Sequence, residues 1–309
     1  MSNGLHNGLV NGLNNGLYNG LLSDLFNSNS DKEANAFITN HQLNTGLVMG
    51  IIQKQAIINR YRRYKGIIKN PNGSLLWIKL LNSNSRMWIH CPTSDTMAND
   101  KAYQMEFVTQ KPLGIFGGFV NTDFTVNGVT GGAGKFFNSQ TPMANFQQNS
   151  MAVGFYNRDS TISNQFECGI EQNTGTVNST TIAIRYSGGS QACFWRLIEN
   201  GSTTGSSYLP TATESLGVVL VQRSNGTTEE IYTRGVFRAT KSSISSTPTL
   251  YPIYFHCVNI DNTSTVQNGT RQLASYYVGL PSLTANEISD MNWIENLYHT
   301  EIITGGRNV

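Results

Sequence analysis

Two acidic stretches in this 309-residue sequence could do acid–base chemistry: ECGIEQ, with Glu167 and Glu171, and TEEIY, with Glu229 and Glu230. Glycoside hydrolysis needs two carboxylates flanking the scissile bond. The strand pattern Glu-x-Asp-x-x-Glu that supplies such groups is not met, because no Asp stands between Glu167 and Glu171. Glu229 and Glu230 are adjacent, so on a strand they point to opposite faces, one at the core rim and one in solvent. The five histidines, His6, His41, His90, His256 and His299, share no ligand spacing, and neither His-Glu-x-x-His nor Gly-x-Ser-x-Gly occurs. VTGGAGKFF looks like a phosphate loop, yet no Gly stands five residues before Gly134, and Lys135 is followed by Phe136 rather than by Ser or Thr. A glycine-rich strand connection is the expectation there. The four cysteines, Cys91, Cys168, Cys193 and Cys257, lie far apart and mostly inside apolar runs, as buried thiols would. No catalytic residue, cofactor or metal ligand is therefore expected, and the chain reads as a non-enzyme.

Composition narrows the partners. Charged residues make up only 13% of the chain and the formal net charge is +2, which gives no drive toward nucleic acid or an anionic membrane surface. No run reaches the roughly 18 apolar residues of a spanning helix, so no membrane insertion is expected. The N-terminus has no basic and apolar signal pattern, and synthesis in the cytoplasm is the expectation. The six Asn-x-Ser/Thr sequons, at Asn72, Asn178, Asn200, Asn225, Asn262 and Asn268, read as turns.

The elements that must position any site follow from periodicity. Residues 1–30 form a low-complexity arm and spacer, residues 31–70 a helical connector, and residues 71–309 a sandwich domain that ends in a helix. In the connector, Leu47, Ile51, Ile52, Ile57, Ile58 and Tyr61 recur at helical spacing. Arg60, Arg62, Arg63 and Lys65 collect at its end, where cations suit the helix dipole, and Gly66 suits the cap. From about residue 74, short β-like runs separated by turn clusters follow one another, beginning with LLWIKLL, MWIHC and AYQMEFV and ending with ASYYVGL. About a dozen such runs fit two packed antiparallel sheets. Near the C-terminus, Ile288, Met291, Ile294, Leu297 and Tyr298 return to helical spacing, and Thr284 with Glu287 forms a capping-box signature.

The order QKQAIINRYRRYKG…SLLWIKLL, AYQMEFV, NGVTGGAGKFFNSQTPMANFQQNSMAVGFYNRD and YYVGLPSLTANEISDMNWIENLYHTEI resembles the concanavalin/laminin-G-like jelly-roll proteins found among bacteriophage virion components. The resemblance rests on Gly131 to Phe137 with Thr141, on Phe155 and Tyr156, and on Gly279, Leu283, Thr284 and Glu287. It covers about residues 50–303 and departs from the pattern in the loop NSNSRMWIHCPTSD. It implies a mainly β, antiparallel two-sheet jelly roll in a structural protein displayed on a virion. Capsid or tail proteins of the same virus would be its partners, and a homo-oligomer, taken as a trimer, its assembly.

The arm fits that implication. Asn-Gly-Leu-x runs five times without a break, placing Leu5, Leu9, Leu13, Leu17 and Leu21 at intervals of four. A helix there carries a glycine cost of about 1 kcal/mol per repeat, and five exposed leucines need a cover. They are therefore expected to anchor the chain by docking into a partner's pockets. A glycan-binding adhesin for host surfaces is the alternative, with Trp88 and Tyr208 as glycan-facing aromatics.

Overall fold

The computed structural model describes residues 31–46, 48–89, 106–108, 113–173, 178–187, 192–199, 206–266 and 268–304. The leucines expected to anchor the chain, Leu5, Leu9, Leu13, Leu17 and Leu21, lie outside these residues, as do Leu47 and Cys91.

The connector folds as two helices, α1 (Lys32–Thr45) and α2 (Ile51–Tyr64). Gly46, at φ 71°, caps α1 by donating its N–H to the Gln42 carbonyl. After α2, Gly66 adopts φ 73°, and the N–H groups of Gly66 and Ile67 return to the carbonyls of Arg63 and Arg62; only glycine takes this left-handed turn without strain. The buried face of α2 is Ala56, Ile57, Arg60, Tyr61 and Tyr64, whereas Ile51 is 87% exposed. LLWIKLL, expected as a strand, is instead α3 (Leu76–Asn82). Leu76, Trp77 and Leu80 share one buried face, and a short apolar run without alternation fits either state until packing decides.

Helix α4 (Ala285–Thr304) starts at the expected capping box. The Glu287 N–H donates to Thr284 Oγ1 at 3.3 Å, and the Thr284 N–H donates to Glu287 Oε2 at 2.7 Å. Ile288, Met291, Ile294 and Tyr298 are buried and Leu297 is half-buried.

The first sheet contains β1 (Arg86–Ile89), β3 (Phe124–Thr125), β4 (Gly128–Thr130), β6 (Met151–Asn157), β11 (Gly217–Arg223), β12 (Thr228–Thr233), β13 (Val236–Ser242) and β17 (Gln272–Leu280). Its order is β13-β12-β11-β6-β17-β4-β3, with β1 pairing beside β4 on β17. The second contains β2 (Gly114–Phe116), β5 (Phe136–Pro142), β7 (Cys168–Gln172), β8 (Asn178–Tyr186), β9 (Ala192–Glu199), β10 (Ser206–Tyr208), β14 (Pro252–Phe255), β15 (Val258–Ile260) and β16 (Ser264–Val266). Its order is β10-β9-β8-β7-β14-β5-β2, and β15 runs parallel to β7. All other strand pairs in both sheets are antiparallel. The molecule is a mainly β, two-sheet sandwich of the jelly-roll kind.

Three layers result. Alternation on β6 sends Val153 and Phe155 into the core between the sheets, with Trp195, Val219, Phe255 and Tyr276. The opposite face of β6, Ala152 and Tyr156, joins Leu220, Tyr277 and all four helices in a second core. Burial on both faces explains why MAVGFYN is a continuous apolar run.

Candidate functional site

The outer face of the second sheet is the one that no helix covers among the described residues. On β5, Phe137 enters the inter-sheet core, so Phe136, Asn138 and Gln140 turn outward. On β14, Ile253 and Phe255 are inward and Tyr254 outward; on edge strand β2, Ile115 leans inward and Phe116 outward. Register places Phe116 opposite Phe136, and Asn138 between Gly114 and Tyr254. The rings stack across three strands: Phe116 and Phe136 lie 5.2 Å apart at 6°, and Phe136 and Tyr254 lie 4.6 Å apart at 15°. Such cross-strand pairs contribute about 0.2–1 kcal/mol each. Phe116 ends the stack on the edge strand and is 43% exposed.

Amides surround this row. Tyr254 donates its hydroxyl to Asn262 Oδ1 at 3.1 Å, and Asn138 Oδ1 accepts the N–H of Gln140, whose side chain is exposed. At the other end of the face, Phe166 packs on Tyr186 and Phe194, with ring centroids 5.3 and 5.5 Å away. The Arg196 guanidinium sits 5.0 Å over the Phe194 ring and 3.7 Å from Glu171, which balances its charge. Apolar rings beside amide donors and acceptors, with no net charge, suit a neutral polyhydroxylated ligand.

Every buried carboxylate among the described residues has a structural partner. Glu167 is held by Arg271 and by the N–H of Ile184 at 2.7 Å; burial raises its pKa, and Arg271 opposes the rise. Glu171 lies on β7 at the outer face, 3.7 Å from Arg196. Glu229 and Glu230 do point to opposite sides. Glu229 is fully buried with Arg223 at 2.5 Å and Ser243 at 2.8 Å, while Glu230 accepts from Gln222 and Tyr232. Burial, reinforced by nearby Glu199, pushes Glu229 up to about 8.

Asp31, Glu199 and Glu295 pair with Arg62, Lys241 and Arg60, while Glu106 and Asp290 accept backbone N–H groups. Cys168, Cys193 and Cys257 are free and buried, and burial pushes their thiols up. VTGGAGKFF joins β4 to β5, and Lys135 donates to both Asp123 oxygens, at 2.8 and 2.7 Å. The basic end of α2 clamps neighbouring helices: Arg60 pairs with Glu295, Arg63 with Glu301, Arg62 with Asp31 and Lys65 with Glu33.

The two aromatics expected to face glycan are not on this open face. Trp88, expected at a glycan-facing position, is fully buried: β1 aims it into the inter-sheet core, 6.3 Å from the Phe255 ring. Tyr208 ends β10 opposite Cys193 and packs on the same core, with the Arg238 guanidinium 5.8 Å from its ring. The outward row of Phe116, Phe136 and Tyr254 was missed. Its only sequence signal is alternation around KFFNSQ and PIYF, and the strand pairing that brings the rings together is not written in either run.

No protein-family model matches the chain, and no curated protein matches it. Among solved structures it is similar to Trypanosoma rangeli sialidase in complex with 2,3-difluorosialic acid, at 10% identity and a TM-score of 0.42, over 69% of this chain and 33% of the sialidase. It is also similar to domain 4 of AbnA, a GH43 extracellular arabinanase from Geobacillus stearothermophilus, in complex with arabinotriose. There the identity is 11% and the TM-score 0.46, over 67% of this chain and 98% of that domain. A third likeness is to Ruminococcus gnavus IT-sialidase CBM40, at 8% identity and a TM-score of 0.35, over 47% and 83% of the two chains. This chain spans only 33% of the sialidase it matches.

Proposed function

We propose that the chain is a non-catalytic glycan-binding protein displayed on a larger body. The open sheet face meets a neutral glycan, and the helical layer faces the attachment. The observation that carries this reading is the asymmetry of the two outer faces. One presents Phe116 and Phe136 beside Asn138 and Gln140, with the Arg196–Glu171 ion pair on it self-balanced. The other presents aliphatic side chains to solvent: Leu43, Val48 and Ile51 around the α1–α2 junction, and Leu75, Ile78 and Leu81 along α3.

A short helix apolar on both sides is built to be covered. The repeat arm joins on this helical side, because Asp31, just ahead of α1, is held by Arg62 at 2.9 and 2.7 Å. Leu5, Leu9, Leu13, Leu17 and Leu21 are then the attachment residues, and the resemblance to phage virion proteins supplies the body: a particle whose capsid or tail subunits receive the arm. A homo-oligomer multiplies weak glycan contacts by avidity.

A glycan array tests the reading. The full chain is expected to bind neutral host polysaccharide, and Phe116→Ala to weaken that binding by about tenfold, leaving the unfolding midpoint within a few degrees because Phe116 lies on an exposed edge. A blank array, with particle association intact, would remove the glycan half and leave decoration of the particle.

A further inference from the structure

A second concave site lies away from the open face, where the end of the first sheet meets α4. This cleft has a volume of about 340 Å³ and is lined by Tyr156, Asn157, Arg158, Gly217, Arg234 and Asn296, among others. Two of its lining residues are arginines and none is acidic.

The hydrogen bonds here form a chain that leaves donors to spare. The Arg158 guanidinium lies 5.9 Å from the Tyr156 ring centroid, and one of its amino groups donates to Asn127 Oδ1 at 2.9 Å. Tyr156 donates its hydroxyl to Asn296 Oδ1 at 2.7 Å, which fixes the amide and leaves Asn296 Nδ2 with no acceptor among the described residues. Burial raises the Tyr156 pKa, so the phenol stays a neutral donor.

Arg234 has an exposed side chain whose guanidinium has no hydrogen-bond or ion-pair partner among the described residues, while its backbone N–H donates to the Val218 carbonyl at 2.8 Å. It occupies the first left-handed position of the β12–β13 turn, at φ 54°, ahead of Gly235 at 75°, a place where Asn, Asp or Gly is usual. Gly217, at φ 84°, keeps the floor open, because a Cβ there would lie 2.9 Å from Asn292 Oδ1 and 3.4 Å from Arg234 Cγ. The neighbouring carboxylates are already engaged: Asp159 by the N–H of Thr161, Glu214 by Arg238 and Glu295 by Arg60.

We propose that this cleft binds the carboxylate of an acidic saccharide, with Arg234 and Arg158 taking the carboxylate oxygens and Asn296 Nδ2 donating to a neighbouring hydroxyl. The guanidinium fork matches a carboxylate, and the volume suits one sugar unit. The site is separate from the open sheet face and goes beyond the neutral-glycan reading.

The test titrates the full chain with sodium galacturonate, its neutral methyl ester and sodium sulfate, followed by NMR. Galacturonate is expected to bind at least about tenfold more tightly than the ester, and Arg234→Gln, on an exposed turn, to lose about tenfold. Phe116→Ala should leave this binding unchanged, which separates it from the open-face site. The proposal is overturned if galacturonate does not bind, if Arg234→Gln with Arg158→Gln leaves its affinity intact, or if sulfate binds equally well, which would mean an adventitious ion only.

Discussion

Glu229 and His256 are buried with opposite demands on their protons. Burial, then Glu199, pushes Glu229 from 4.5 up to about 8, so the folded chain favours its acid form. Its contribution to stability is full below about pH 4.5 and is lost as pH rises through 8. Burial lowers His256 from 6.5 to about 3, and its Nε2 lies 2.7 Å from the Tyr276 hydroxyl. The folded chain holds it neutral, so its contribution is full above 6.5 and is lost as pH falls toward 3. Denaturant unfolding across this range should show stability falling on both sides of a weakly acidic maximum, each limb worth on the order of a few kcal/mol. Glu229→Gln should flatten the alkaline limb and His256→Gln the acid limb. A pH-independent profile in the wild type would refute both assignments. Neither burial was legible beforehand: alternation puts one of Glu229 and Glu230 at the core rim without saying which, and the full burial of Glu229 depends on Arg223 and Ser243 from neighbouring strand segments.

Helix α2 owes its place to its basic end. Arg60 donates to Glu295 Oε1 at 2.9 and 2.6 Å, Tyr64 shares that oxygen at 2.6 Å, and both Arg60 and Glu295 are fully buried. Arg60→Ala would strand the Glu295 charge in the core and should cost about 3–5 kcal/mol in denaturant unfolding. Arg62→Ala should cost less, about 1–3 kcal/mol, because Asp31 is buried but its arginine lies at the solvent edge and water can replace it. Equal losses for the two would contradict the clamp. The sequence shows this helix, its glycine stop and the capping box of α4, because those signals are local. The clamp itself was not legible, since Arg60 and Glu295 are 235 residues apart. Helix α3 was misread because LLWIKLL lacks a period, and α1 carries no sharp stripe, with polar His41 and Thr45 on its buried face. The aromatic row escaped notice for the same reason as the clamp, as it exists only once β2, β5 and β14 are in register.

At the scale of the whole molecule, two sheets and a helical layer set an open sheet face and a helix-covered face back to back. The two-sheet architecture was legible from the rhythm of apolar runs and turns, because each run needs only its own alternation to be seen. Which face stays open was not, because that depends on where the helices land. Removing residues 1–24 should leave thermal unfolding of the sandwich nearly unchanged while abolishing association with particles; particle association that survives the deletion would refute the anchoring role. The decisive experiment for glycan binding is a crystal structure of the full chain with a neutral oligosaccharide. Sugar rings are expected seated against Phe116 and Phe136, with hydroxyls bonded to Asn138 and Gln140. An oligosaccharide ordered elsewhere on the molecule, with Phe116 untouched, would contradict that placement.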